Sequence, residues 1–147
     1  MVKTAICGIG NLLRGDDGIG PAVIELLSKR ILPEDVLLLD CSTAPESFAG
    51  KIIRFAPDRV LVIDAVEMGE SPGKVAEISL DRVKTMMVST HKMPVNLFIN
   101  YLERSLPGAS IIFIGVQQKS AEFGQPMSGE CAEAAKRLEG LILGMVQ

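Results

Sequence analysis

Apolar residues gather along this chain in short runs that alternate with longer stretches of helical spacing. Val2 to Cys7 is an apolar run ending in Gly8-Ile9-Gly10, and after a loop apolar positions recur from Pro21 to Ile31. This order predicts strand, glycine loop, helix. A second strand is expected over Val36 to Leu39, closing on Asp40, and a third over Arg59 to Ala65, closing on Asp64, with helical spacing from Glu46 to Phe55 between them. The continuous apolar run Val60-Leu61-Val62-Ile63 lacks polar alternation, so burial on both faces is expected.

Lys74 to Ile78 does alternate, between turn signals, and reads as an edge strand to which an antiparallel course is open. Pro94, a favoured first-turn residue, opens a helix reaching Leu106, and Ala109 to Val116 forms the last strand. From Ser128 the apolar positions Cys131, Ala135, Leu138, Ile142 and Met145 mark a closing amphipathic helix.

Strands alternating with helices on one core predict a three-layer α/β/α sandwich around a mostly parallel twisted sheet of about five strands, because helical crossovers make neighbouring strands run the same way. Such sheets bind ligands beyond the carboxyl ends of their strands. Asp17, Asp40 and Asp64 fall in loops at or after strand ends, and His91 follows after a longer excursion. Their convergence on one rim is consistent with that topology.

A length of 147 residues suits one domain, 1–147, and a composition 48% hydrophobic and 22% charged suits a globular core. The net charge is −3 and the Lys and Arg residues are scattered singly, which argues against nucleic acid as a partner. The opening apolar run is too short for a signal peptide and no stretch approaches a membrane span, so a cytoplasmic, monomeric protein is expected. Cys7, Cys41 and Cys131 show no CxxC spacing, which argues against a disulfide framework or a four-thiolate zinc site.

The loop Gly8 to Gly20 invites comparison with a dinucleotide fingerprint, the more so because Asp40 ends the second strand. It fails in detail: Leu13 stands where the third glycine belongs, and Asp16 and Asp17 stand where backbone donors should meet a pyrophosphate. Paired carboxylates welcome cations instead, or they cap the following helix. Asp64 follows four buried apolar residues and must find a partner or a cation there. His91 is the single histidine, which excludes HExxH and three-imidazole zinc sites. Asp17, Asp64 and His91 would together make a three-point mount with open positions for a borderline divalent metal such as nickel or zinc. A thiolate at Cys41 served by His91 is the alternative nucleophile, set against a buried structural cysteine.

Four segments in this order resemble the hydrogenase maturation endopeptidases, most closely the branch that acts on hydrogenase 3-type enzymes. They are Gly8-Ile-Gly-Asn-Leu-Leu-Arg-Gly-Asp-Asp-Gly-Ile-Gly-Pro21, Val62-Ile-Asp-Ala-Val-Glu-Met-Gly69, Thr90-His-Lys-Met-Pro-Val-Asn96 and Phe113-Ile-Gly-Val-Gln117. The resemblance implies a protease that removes a C-terminal extension from the large-subunit precursor of a nickel-iron hydrogenase. It also implies that Asp17, Asp64 and His91 meet the nickel already inserted in that precursor, so no tightly bound metal is expected in the free enzyme. Cys41-Ser42 stands where the family commonly has Gly-Gly, and Gln118 where it often has Pro; the first departure leaves the choice of substrate open. A free carboxylate, Asp16 or Asp40, could take a proton during cleavage. The competing readings are a nickel chaperone or docking module using the same ligands, and a nicotinamide-dependent oxidoreductase.

Overall fold

The computed structural model describes residues 2–86 and 95–147. Among them the chain forms β1 (Thr4–Ile9), α1 (Ile19–Ser28), β2 (Val36–Ser42), α2 (Ala49–Phe55), β3 (Arg59–Val66), β4 (Val75–Ile78), α3 (Leu80–Thr85), α4 (Val95–Ser105), β5 (Ser110–Gln117) and α5 (Gly129–Val146). Single 3-10 turns at Gly15–Gly18 and Pro45–Phe48 lead into α1 and α2. His91 and Pro94 lie outside the described residues.

The strands form one sheet in the order β2-β1-β3-β5-β4, parallel except for β4, which runs antiparallel along β5. Alternation along β3 builds a core on each side. Val60, Val62 and Val66 pack with Ile52 of α2, Val83 of α3 and Phe98, Ile99 and Leu102 of α4. Leu61, Ile63 and Ala65 pack with Val23 and Leu27 of α1 and Ala134, Leu138 and Ile142 of α5. The mostly parallel five-stranded α/β/α sandwich is therefore the arrangement the apolar pattern implied.

Three local differences have physical reasons. The six residues of α3 are too few to show helical periodicity; Ser79 starts the helix by accepting a hydrogen bond from the Arg82 amide. Met145 falls at a helical interval but is exposed, one turn beyond the last buried residue of α5, Ile142. β2 and β3 continue beyond the acids that were expected to close them. Asp40 pairs with Gly8 and Asp64 with Gly115, so both acids sit inside strands, each opposite a glycine.

Candidate functional site

The strand order reverses between β1 and β3: the chain leaves β1 for β2 on one side and returns through α2 to β3 on the other. Open α/β sheets bind ligands at such a switch point, beyond the carboxyl ends of the two strands. The loop after β1 is held close by its glycines. Gly10 has φ +149°, and a Cβ on it would lie 1.8 Å from the Asp17 carbonyl oxygen. A Cβ on Gly20 would meet the backbone of Ile9 at 2.4–2.5 Å and the Ile63 carbonyl at 2.7 Å, so α1 begins pressed against the ends of β1 and β3.

This folding buries Asp17 at 1% exposure, with Oδ2 accepting from the Asn11 amide at 3.0 Å. The Gly15–Gly18 turn that carries it packs against β3, which carries the fully buried Asp64. The pleat puts Asp64 on the face of Val62 and Val66, the face covered by α4. Val95, the first residue of α4, is buried in that same core. Among the described residues no group of three or more His, Cys, Asp and Glu could hold a metal ion.

Asp16 sits beside Asp17 but faces elsewhere. Its Oδ1 accepts from the Ser128 amide at 2.7 Å; its Oδ2 accepts from the Lys119 amide at 2.8 Å, the Ser120 amide at 3.3 Å and the Ser128 hydroxyl at 3.0 Å. Burial alone would raise the pKa of this carboxyl, but the hydrogen bonds from Ser128, Lys119 and Ser120 outweigh it and hold the group below its ordinary value. Neither acid caps α1, whose N-cap is Gly18 without a side-chain bond. Asp16 instead secures Ser128, the residue whose hydroxyl caps α5.

Asp40 is exposed and borders a cavity of about 260 Å³ together with Gly10, Asn11, Leu12, Pro21, Ser42 and Thr43. Its Oδ1 accepts from the Ser42 amide at 2.9 Å and the Ser42 hydroxyl at 3.2 Å. Pairing with Gly8 puts it on the α1 face of the sheet, opposite to Asp64. Cys7, Cys41 and Cys131 are all buried free thiols. Hydrogen bonding to Cys41, then burial, pushes the Cys7 thiol well up, while burial foremost pushes Cys131 up to about 11. Neither change favours thiolate at neutral pH. Sequence reading named Gln117 only as the end of the fourth resembling segment and gave it no role; it is a buried polar residue that binds the loop after β3, and its place at the end of an apolar strand was the available signal.

The sheet order and the two buried acids beside its reversal define an α/β protein with a candidate site at its topological switch point. The family model described as hydrogenase maturation protease matches residues 21–145. A hydrogenase 3 maturation protease of Escherichia coli (strain K12) is 34% identical over 146 residues, covering 95% of this chain and 90% of that protein. The crystal structure of a [NiFe] hydrogenase maturation protease, HycI, from Thermococcus kodakarensis KOD1 superposes with a TM-score of 0.88 at 37% identity, covering 99% of this chain and 92% of that one. The solution structure of the endopeptidase HycI from Escherichia coli has the same TM-score at 31% identity, with coverage of 97% and 90%. The chain belongs to the hydrogenase maturation protease family and is an endopeptidase.

Proposed function

We propose that this endopeptidase removes the C-terminal extension from a nickel-loaded large-subunit precursor of a nickel-iron hydrogenase. In this reading Asp17, Asp64 and His91 meet the nickel that the precursor carries. The observation that supports it most is the burial of two carboxylates, at 1% and 0% exposure, on either side of the switch point. Ionised carboxylates in so apolar a sheet are costly unless matched by donors or a cation. His91 stands four residues before Val95, which shares a core face with the neighbours of Asp64.

Three ligands from separate segments, two anionic and none a thiolate, grip a first-row metal modestly, and groups of the substrate complete the set. The nickel therefore acts as the mark of a finished precursor, and gripping it orients the adjoining peptide. Hydrolysis adds water to the scissile carbonyl carbon, breaks the C–N bond and leaves a proton for the departing amine. Asp16 is committed to four hydrogen bonds, so Asp40, at the edge of the open cavity, is the better candidate to relay that proton. The test offers nickel-free and nickel-loaded precursor side by side and follows precursor mass. Cleavage of the loaded form alone is the expected result; equal cleavage of both, or an unchanged mass in both, overturns the reading.

A further inference from the structure

Two loops follow the strands that flank the switch point: residues 10–18 after β1, and residues 67–70 after β3. Both are fastened to the segment in which β5 ends. Gln117, the last residue of β5, is 2% exposed and lies beside Val66 in the register. Its Oε1 accepts from the Met68 amide at 2.8 Å and the Glu70 amide at 3.2 Å. Its Nε2 donates to Glu67 Oε2 at 2.9 Å and to the Gln118 carbonyl at 2.8 Å. Glu67 Oε2 also accepts from the Gly69 amide at 3.1 Å, which closes the loop on itself.

The loop after β1 hangs from the next residues along. Lys119 and Ser120 donate their amides to Asp16, the Asp16 amide donates to the Ser120 carbonyl at 2.9 Å, and the Gly15 amide to the Gln125 carbonyl at 3.0 Å. One stretch, Gln117 to Ser120, thus anchors both loops. Three of the four bonds made by the Gln117 amide go to the loop after β3, and a buried amide so fully used rigidifies what it holds.

We propose that Gln117 is a positioning residue for peptide cleavage: it fixes the loop 67–70, as one wall of the substrate crevice, at the separation from the Asp17 loop that an extended peptide segment of the precursor needs. The inference rests on the protease reading above. Gln117→Glu keeps the shape and the acceptor for Met68 and Glu70, but sets a carboxylate against Glu67 and the Gln118 carbonyl. Adding Glu67→Gln restores a donor facing an acceptor at that contact. A merely structural residue would lower stability and leave the kinetic constants of the folded fraction alone.

The experiment measures kcat and KM on nickel-loaded precursor for wild type, Gln117→Glu, Glu67→Gln and the double variant. Amide exchange at Met68 and Glu70 is followed in each. Gln117→Glu should raise KM about tenfold with little change in kcat, and deprotect both amides, since small misplacements of a binding wall cost binding first. The double variant should recover both. Gln117→Met, which removes the bonds without adding charge, should raise KM similarly and serves if Gln117→Glu does not fold. An unchanged KM in a folded variant with deprotected amides overturns the inference while the protease reading stands. Failure of the double variant to recover KM also overturns it. A wild-type protein inert toward loaded precursor removes both readings together.

Discussion

The loop after β1 and the end of β2 use the same device to different ends. In each, a carboxylate accepts from a nearby amide: Asp17 from Asn11 at 3.0 Å, and Asp40 from Ser42 at 2.9 Å. The first loop is built from glycines and folds inward until Asp17 is buried; the second stays at the surface, with Asp40 exposed. The first also packs against the strand that holds the other buried acid, Asp64. The difference is one of dielectric and neighbourhood. A buried acid must be matched by donors or a cation, whereas an exposed acid bonded to a near neighbour is first a brace and second a group open to substrate.

That contrast predicts a graded loss of cleavage. Asp17→Asn and Asp64→Asn keep the shape of each side chain and remove its charge; each should cut the processing of nickel-loaded precursor by at least ~100-fold, a larger loss than the ten- to hundredfold typical of outer-shell partners. His91→Ala should match them. Asp40→Asn keeps the Ser42 contacts through its amide oxygen and should cost less, because at an exposed position water can take over as proton acceptor. Single-turnover cleavage followed by mass spectrometry ranks the four. Equal losses at Asp17 and Asp40 would erase the distinction between the loops, and normal processing in two of the three ligand variants would remove the shared site.

Much of the sheet was legible because continuous apolar strands and helical spacing report burial directly, and burial organises this fold. The strand acids Asp40 and Asp64 could be placed near the rim for the same reason. What the residues could not reveal was the duty of each acid, since partners distant in sequence decide it. Asp16 and Asp17 are adjacent, yet Asp16 is tied to Lys119, Ser120 and Ser128, more than a hundred residues away. α3 escaped notice because six residues carry no readable period, and the role of Gln117 because a single polar residue at a strand end does not announce the loop it will bind.

Asp16 offers the next sharpening, in stability rather than chemistry. Asp16→Ala leaves the amides of Lys119, Ser120 and Ser128 without that acceptor, which should cost about 2 kcal/mol, or a Tm lower by roughly 4–8 °C. Its folded-state pKa is depressed, so the contribution is present above the unfolded value, near ~3.9, and fades as pH falls through the lower folded value. The stability gap between wild type and Asp16→Asn should therefore be full at neutral pH and shrink in acid. Calorimetry across pH checks it; a gap that widens in acid would mean that the charge of Asp16 does not do the holding.

The smallest expected effect lies at the end of β2, where Ser42 has φ +47°, a left-handed conformation that glycine adopts without strain. Ser42→Gly and Ser42→Ala both delete the hydroxyl that donates to Asp40 at 3.2 Å, so that exposed bond cancels between them. The backbone remains as the difference. Alanine keeps the left-handed strain, on the order of 1–2 kcal/mol, while glycine relieves it but gives back roughly 0.5–1 kcal/mol through the greater freedom of its unfolded chain. Glycine should come out ahead by about 0.5–1 kcal/mol, which is a Tm higher by roughly 1–4 °C. Asp40 keeps its cavity-facing place in both variants, so cleavage should match wild type within about twofold. If alanine proves as stable as glycine, the loop relaxes out of the left-handed region without cost, and Asp40 braces nothing. If instead glycine slows cleavage markedly while raising stability, the rigidity of Ser42 is part of what the precursor meets.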